Sequence, residues 1–338
     1  MAAALGALRS AALPPKMATP ALVLQVLLLL TVGANSNYVI FSQRFSADPA
    51  PIVHGGRVYL YTSHDKNQNH GFDMQDYNCL SSADMVNWRD EGIAFSMNDT
   101  TWARGLHAWA QQVVELKNGT FVMFFPAMGK GGGVGVASAS HPAGPFIQAS
   151  AGPLPGTGSR GKFGNADDPT IFIDRDGQGI LCANGNLGCD ATDGGCPDCG
   201  VLNEDMVSWK TPPKVLASFD KAAWHYFEAP WLLRRRDTYF LSYMMEYSTC
   251  PGNRGSRVTN LNCSWSHGGF DIGYAVASAA SADPLAAAWQ PKGTLMYSTD
   301  WDEQGGNNHQ GIVEFPVGSD EYYVRPCAPG RSRSACSS

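Results

Sequence analysis

The sequence has few charged residues and little clustered positive charge. Asp, Glu, Lys and Arg make up 16% of the 338 residues, the formal net charge is −6 at pH 7, and the longest basic run is the three arginines at 234–236. Binding to nucleic acid needs a clustered cationic surface, so this balance argues against a nucleic-acid partner. It fits neutral or weakly charged ligands better.

Long apolar runs are equally scarce. One stretch, residues 21–32, follows Lys16 and precedes the small residues Gly33 and Ala34. A basic residue, a short apolar segment and a small-residue cleavage site are typical of a signal peptide, and the segment is short for a membrane span. We therefore predict that residues 1–34 are a signal peptide, that the mature chain is secreted, and that it is not associated with a membrane after cleavage. A retained membrane anchor is the alternative.

Helical periodicity is almost absent. Short runs of β-branched and aromatic residues recur instead, bounded by Gly, Asn and Asp, at 58–62, 121–125, 171–173, 239–243 and 312–315. Many short strands separated by turn signals predict an all-β sandwich, barrel or propeller.

A repeat decides among these architectures. Five similar strand–turn–strand segments are anchored by residues separated by 61, 59, 60 and 81 positions, with an insert near 247–268 lengthening the last gap; the anchors are Asp48, Trp109, Asp168, Glu228 and His309. A period long enough for four strands is typical of propeller blades. We predict a single five-bladed β-propeller domain at 38–324. Residues 325–338 have no strand pattern and are predicted to form an irregular tail, so the fifth blade could be incomplete.

The nine cysteines suit an exported protein. Cys250 and Cys263 flank one loop, and four more crowd another segment, at 182, 189, 196 and 199. The Cys196-x-x-Cys199 spacing could be half of a zinc site, but a second pair of ligands at suitable spacing is missing. Disulfides are therefore the preferred interpretation.

Three of the five anchors are carboxylates. Equivalent strand starts should converge at one mouth of the central channel, where close carboxylates repel one another and lose hydration. A fold gains nothing from this, whereas a reaction that needs one protonated acid and one ionised base does. The alternative is that each Asp only caps a turn before proline.

The anchor motifs, taken together, resemble a known family. Segments SADPAP (46–51), HAWA (107–110), DPTIFID (168–174), FEAPW (227–231) and NHQGIVE (308–314) are similar to those of glycoside hydrolase family 43. The resemblance runs from about residue 38 to 324. It implies a five-bladed propeller that cleaves β-xylosidic or α-L-arabinofuranosidic bonds of oligo- or polysaccharides with inversion.

The resemblance also implies residue roles. Asp48 is expected to be the general base that activates water, Glu228 the general acid, and Asp168 the residue that tunes the pKa of that acid and orients the sugar. An inverting site leaves room for water, with carboxyl groups about 6.5–9.5 Å apart.

Further positions are expected to bind substrate. Trp109 matches an aromatic residue near the glycone pocket, and His309 a histidine on the channel axis that contacts the water shell of a bound Ca²⁺ ion. Phe45 and Phe72 are weaker candidates for subsite walls. Core packing for Trp109 and a structural role for His309 are the alternatives. No cofactor is required, and no metal ligands are assigned.

The sequence departs from the family motifs at two positions, and there are two alternatives to the function that the resemblance implies. Gln111 stands where relatives have proline, and Arg325 does not match the arginine motif of the last blade. Five-bladed fructan hydrolases, which act by retention, are one rival, but their Arg-Asp-Pro and Glu-Cys motifs are absent here, where Asp167 precedes Asp168 and Ala229 follows Glu228. The other rival is a non-catalytic sugar-binding propeller, for which the missing C-terminal strands would speak. Linkage preference and oligomeric state stay open.

Overall fold

The computed structural model describes residues 44–66, 72–158, 166–185, 195–246, 270–280, 283–296 and 309–327. The predicted signal peptide, Cys189, and the proposed partners Cys250 and Cys263 lie outside these residues. None of the helices within the described ranges is long and apolar enough to cross a membrane.

Strands account for most of the described chain. The first two sheets contain β1 (Ala47–His54), β2 (Arg57–Asp65), β3 (Met74–Ser82) and β4 (Trp88–Ser96), then β5 (His107–Ala108), β6 (Gln112–Glu115), β7 (Phe121–Met128), β8 (Gly133–Ala139) and β9 (Ile147–Gln148).

The remaining sheets follow in chain order. They contain β10 (Asp167–Ile173), β11 (Gly179–Gly185), β12 (Cys196–Leu202) and β13 (Trp209–Val215); β14 (Tyr226–Arg235), β15 (Thr238–Glu246), β16 (Phe270–Ser278) and β17 (Gln290–Met296); and β18 (His309–Glu314) with β19 (Tyr322–Cys327). A short helix α1 (Lys221–Trp224) precedes β14.

Each sheet is an antiparallel meander of consecutive strands. Three sheets have four strands each, and in the second sheet β5 and β6 both pair with β7, so its first strand is interrupted around Trp109. The all-β propeller is therefore confirmed, with four sheets acting as blades. A complete fifth blade is not, because the fifth sheet has two strands within the described residues.

The boundary predicted for the last sheet was wrong. Strand β19 runs to Cys327, so the first three residues of the expected irregular tail pair with β18, with Arg325 opposite Gly311. A neighbouring strand supplies backbone partners whatever the side chains are, and this tertiary context overrides weak strand propensity. The rest of the tail lies outside the described part of the chain.

The hairpin turns explain where strands begin. Gly55 and Gly56 join β1 to β2 with φ of +56° and +73°, the left-handed pair that a two-residue hairpin turn requires. In the turns between β3 and β4 and between β12 and β13, Asp84 and Asp205 each accept two backbone N–H groups. The same turn therefore recurs in the first and third sheets.

The last sheet closes onto the first. Gly311 in β18 lies so near β1 that an added Cβ would stand 2.2 Å from the Pro49 carbonyl oxygen, so only glycine fits there. Strand β18 therefore packs beside the residue that follows Asp48, and the two ends of the described propeller meet at the channel.

A disulfide bond joins two strands of the third blade. Cys182 and Cys199 are opposite one another on β11 and β12 and are bonded, 17 residues apart in sequence. The preferred disulfide interpretation is confirmed for this pair, and Cys199 is thereby removed from any zinc site. Cys79, buried in β3, is a free thiol.

Candidate active site

A pocket opens where the first strands of the blades begin. Its volume is about 80 Å³, room for several water molecules, and its lining includes Asp48, Trp109, Asp168, Glu228 and His309. All five predicted anchors therefore meet at one place.

Of the two weaker candidates, Phe72 lines this pocket and Phe45 does not. One residue that the sequence argument had not selected, Asp167, also lines it.

Each carboxylate is positioned by a β-bulge before a proline. The ladders of β1, β10 and β14 all lose register at this point. The residue before proline has a positive φ in each: Asp48 at 54°, Asp168 at 47° and Ala229 at 56°. Non-glycine residues adopt this conformation at a cost, and bulges of this kind redirect side chains near active sites.

The expected equivalence of the anchors was wrong for Glu228 by one residue. Ala47, Asp167 and Glu228 occupy the last paired position before the bulge, opposite Ser63, Asn184 and Met244. Asp48 and Asp168 therefore correspond to Ala229, and Glu228 corresponds to Asp167. A bulge inserts one residue without changing the sequence period, which is why the period alone could not show the offset.

Loss of hydration dominates the electrostatics of the acid. It raises the pKa of Glu228 well above its usual range, and the charges of Asp168, Asp167 and Asp48 raise it further. A raised pKa favours the protonated carboxyl group, which can donate a proton.

Asp48 is less perturbed. Burial raises its pKa to about 6, and the nearby Ser63 side chain partly opposes this rise. Above that pH the group is ionised and can accept a proton from water. The pKa values of Glu228 and Asp48 are therefore shifted to different extents, as general acid–base catalysis requires.

Asp168 links the third and fourth blades. Burial and the adjacent Asp167 raise its pKa, while His309 and the backbone N–H of Ala229 oppose the rise. That N–H donates to Asp168 Oδ2 at 3.1 Å. Because Ala229 follows Glu228 directly, Asp168 holds the backbone that carries the acid.

Neutral side chains tie the blades together just behind the pocket. Gln310 Nε2 donates to the Ala229 carbonyl at 2.8 Å and to Ser242 Oγ at 3.1 Å. Thr170 Oγ1 accepts from the Leu232 N–H at 3.1 Å. Gln310, fully buried, adjoins a predicted anchor but was not itself predicted, because a Gln in a strand carries no distinctive sequence signal.

Two aromatic side chains form a wall of the pocket. The rings of Phe72 and Trp109 are 5.7 Å apart, and Trp109 Nε1 donates to the Phe72 carbonyl at 3.1 Å. Trp109 is half-buried: one part packs on the core of the first two blades and another faces the pocket. An apolar ring face suits the C–H face of a sugar.

His309 lies at the pocket with 8% of its surface exposed. Burial lowers its pKa, which favours the neutral imidazole, and the charge of Asp168 opposes this. Within the described ranges, no group of three or more His, Cys, Asp or Glu side chains is arranged to hold a metal ion.

Comparison with known proteins places this pocket in context. The family model for glycosyl hydrolases family 43 matches residues 39–333. An arabinoxylan arabinofuranohydrolase of Bacillus subtilis is 30% identical over 253 residues, which are 65% of this chain and 47% of that protein. A xylosidase/arabinosidase of Bacteroides ovatus is 29% identical over 238 residues, 59% of this chain and 70% of that protein. The chain spans about half the length of the arabinoxylan arabinofuranohydrolases that it matches.

Solved structures agree on the fold. An α-L-arabinofuranosidase from Clostridium thermocellum superimposes with a TM-score of 0.62 at 29% identity, covering 86% of this chain and 84% of that one. A β-xylosidase/α-arabinofuranosidase from a compost metagenome gives a TM-score of 0.65 at 24% identity, covering 90% and 92%. The family resemblance seen in the anchor motifs is thus confirmed. With this fold, this match and these carboxylates at one pocket, the chain belongs to glycosyl hydrolases family 43.

Proposed function

We propose that this chain hydrolyses α-L-arabinofuranosidic or β-xylosidic bonds in oligo- or polysaccharides of plant or algal type, with inversion at the anomeric carbon. The observation that carries the proposal is the pocket itself, which gathers Asp48, Asp168 and Glu228 from three blades. The names of the relatives, arabinofuranohydrolase and xylosidase/arabinosidase, supply the substrate class.

The roles follow from the protonation states. Lost hydration and acidic neighbours raise the pKa of Glu228 and favour its protonated form, which gives its proton to the leaving glycosidic oxygen as the bond breaks. Asp48, ionised above about pH 6, takes a proton from the water that attacks the opposite face of the sugar. The elements of one water are consumed, and proton exchange with solvent restores both groups.

Asp168 is proposed to act through the acid. Its negative charge, where present, raises the pKa of Glu228, and its hydrogen bond from the Ala229 N–H fixes the strand on which Glu228 lies. Trp109 and Phe72 would hold the sugar ring, and His309 would contact it from the channel axis. No step is routed through a metal ion.

Secretion is part of the same proposal. Residues 1–34 would be removed as a signal peptide, and the mature enzyme would act outside the cell. The disulfide between Cys182 and Cys199 supports this, because such bonds persist in oxidising compartments.

Two variants separate acid from base. Glu228→Gln should lose activity on natural arabinoxylan oligosaccharides by roughly 10²- to 10⁴-fold, while keeping more activity on nitrophenyl glycosides, whose leaving group departs without protonation. Asp48→Asn should be crippled on both, because water is then not activated. Asp205→Asn, the same chemical change in an exposed turn, is the matched control.

The stereochemistry tests the mechanism. The first sugar released, followed by NMR, should have the inverted anomeric configuration. Retention would mean a covalent intermediate and would remove Asp48 from the role of base. Saccharide binding without hydrolysis of any arabinofuranoside or xyloside would instead favour the sugar-binding propeller.

A further inference from the structure

A fourth carboxylate faces the pocket and has no role in the mechanism above. Asp167 lines the pocket beside Asp168 and occupies in β10 the register position that Glu228 occupies in β14. The first blade has Ala47 at this position. The equivalent position thus carries the acid in one blade, a carboxylate of unassigned role in another, and a methyl group in a third.

The carboxyl group of Asp167 is only partly satisfied. It accepts a hydrogen bond from the side chain of Asn184, which is opposite it on β11. Its Oδ1 is buried and has no hydrogen-bond partner among the described residues, whereas Asp167 as a whole is only half-buried and lines the pocket. A carboxyl group has about four acceptor sites, so Asp167 has acceptor capacity left for a ligand in the pocket.

The pocket restricts what that ligand can be. Asp48, Asp168 and Glu228 surround the same space, so an anionic ligand group would be repelled. A hydroxyl group can both donate and accept a hydrogen bond, so it suits a buried carboxyl group in either protonation state.

We propose that the carboxyl group of Asp167 binds one hydroxyl of the pentose in the pocket and makes Asp167 a specificity-determining residue for the hydroxyl pattern of that sugar. This rests on the proposed function, because it takes the pocket as the site of the sugar that is released. Asp167 lies in the pocket at the register position of the acid, so it contacts the same ring that Glu228 serves.

A double cycle tests this proposal: the Asp167 carboxyl group and one sugar hydroxyl are removed separately and together. The substrates are nitrophenyl α-L-arabinofuranoside and nitrophenyl β-xyloside, with the monodeoxy analogues of each that lack one ring hydroxyl. Asp167→Ala should lower kcat/KM on the preferred parent glycoside by about 10- to 100-fold, the range for a hydrogen bond to a charged group. On the one analogue that lacks the bound hydroxyl, wild type and variant should differ by less than about 3-fold.

Asp167→Asn keeps the shape of the group and part of its hydrogen bonding, so it should show the same pattern with a smaller loss. This variant keeps the test usable if Asp167→Ala does not fold. Asp176→Asn, an exposed residue in the turn between β10 and β11, is the matched control and should leave every substrate unchanged.

An equal loss on the parent and on every analogue, accompanied by a shift in the alkaline limb of the pH profile, would overturn the proposal. Asp167 would then act only through the pKa of Glu228. Binding of the same glycosides measured by calorimetry gives a readout independent of turnover. A wild type that binds the parent but hydrolyses nothing defeats the proposed function, and the binding cycle still decides the role of Asp167.

Discussion

The ionised carboxylate of Asp48 is expected to destabilise the folded protein. Burial raises its pKa from 3.8 to about 6. A carboxyl group whose pKa is higher in the folded than in the unfolded chain stabilises the fold at low pH, where it is protonated in both states. That advantage is lost as pH rises through the folded pKa. Each pKa unit corresponds to about 1.4 kcal/mol, so the ionised Asp48 costs the folded state on the order of 3 kcal/mol at neutral pH.

Asp48→Asn removes this cost without changing the size of the side chain. Asparagine also tolerates the positive φ of 54° at this position. We expect the free energy of unfolding to rise by up to about 3 kcal/mol near pH 7.5 and by almost nothing near pH 4, a gain on the order of 5 °C in Tm at the higher pH. The same variant should have lost its hydrolytic activity, so the two assays should move in opposite directions.

Urea unfolding of wild type and variant across this pH range is the measurement. Asp48→Ala is one control: it removes the same charge but places alanine at a left-handed position, so its gain should be about 1 kcal/mol smaller. Asp84→Asn is a control of opposite sign. Its exposed carboxylate accepts two backbone N–H groups, which lower its pKa, so it should lose stability at neutral pH. A gain for Asp48→Asn that is the same at both ends of the pH range would refute the reasoning.

Two further predictions concern the aromatic wall of the pocket and the disulfide between Cys182 and Cys199. Trp109→Ala removes the wall and one of the two N–H groups that donate to the Phe72 carbonyl, so KM should rise roughly tenfold or more while nitrophenyl substrates are still turned over; an unchanged KM would place the sugar elsewhere. Cys182→Ser opens a 17-residue link, and the free energy of unfolding, measured in denaturant, should fall by about 3 kcal/mol. No loss for Cys182→Ser would mean that β11 and β12 are held by their ladder alone.

The sequence predicted that the anchor residues meet at one pocket, but it did not predict their exact strand register. Asp48, Asp168 and Glu228 could be selected because each precedes a proline or an Ala-Pro pair at the start of a strand in a repeat of about sixty residues. Strand starts in a repeat are placed alike by the fold, so their convergence follows from the period. The one-residue offset of Glu228 depends on which side of the bulge each residue lies, and its sequence mark is the proline, which follows Asp48 and Asp168 directly but is separated from Glu228 by Ala229.

Other features depended on tertiary contacts that a single sequence does not show. In the sequence, Asp167 stands out only as a departure from the fructan hydrolase motif. The structure places this residue in the lining of the pocket. Gln310 acts across two blades, and the contact between Phe72 and Trp109 joins residues 37 positions apart. Strand β19 extended past its predicted end because β18 offered it a partner.

The arrangement of polar groups around the pocket separates catalysis from stability. The carboxylates that line it are desolvated and raise one another's pKa values, so each ionisation there opposes folding. Immediately behind them, uncharged groups make the contacts between blades: Gln112 accepts from the Ile171 N–H at 2.8 Å, and Gln310 donates to the Ala229 carbonyl. Neutral hydrogen bonds do not titrate, so the blades stay joined across the pH range in which the acid and the base change state. The channel mouth can therefore stay strongly acidic, because neutral hydrogen bonds join the blades beside it in addition to the bond that Asp168 accepts from Ala229.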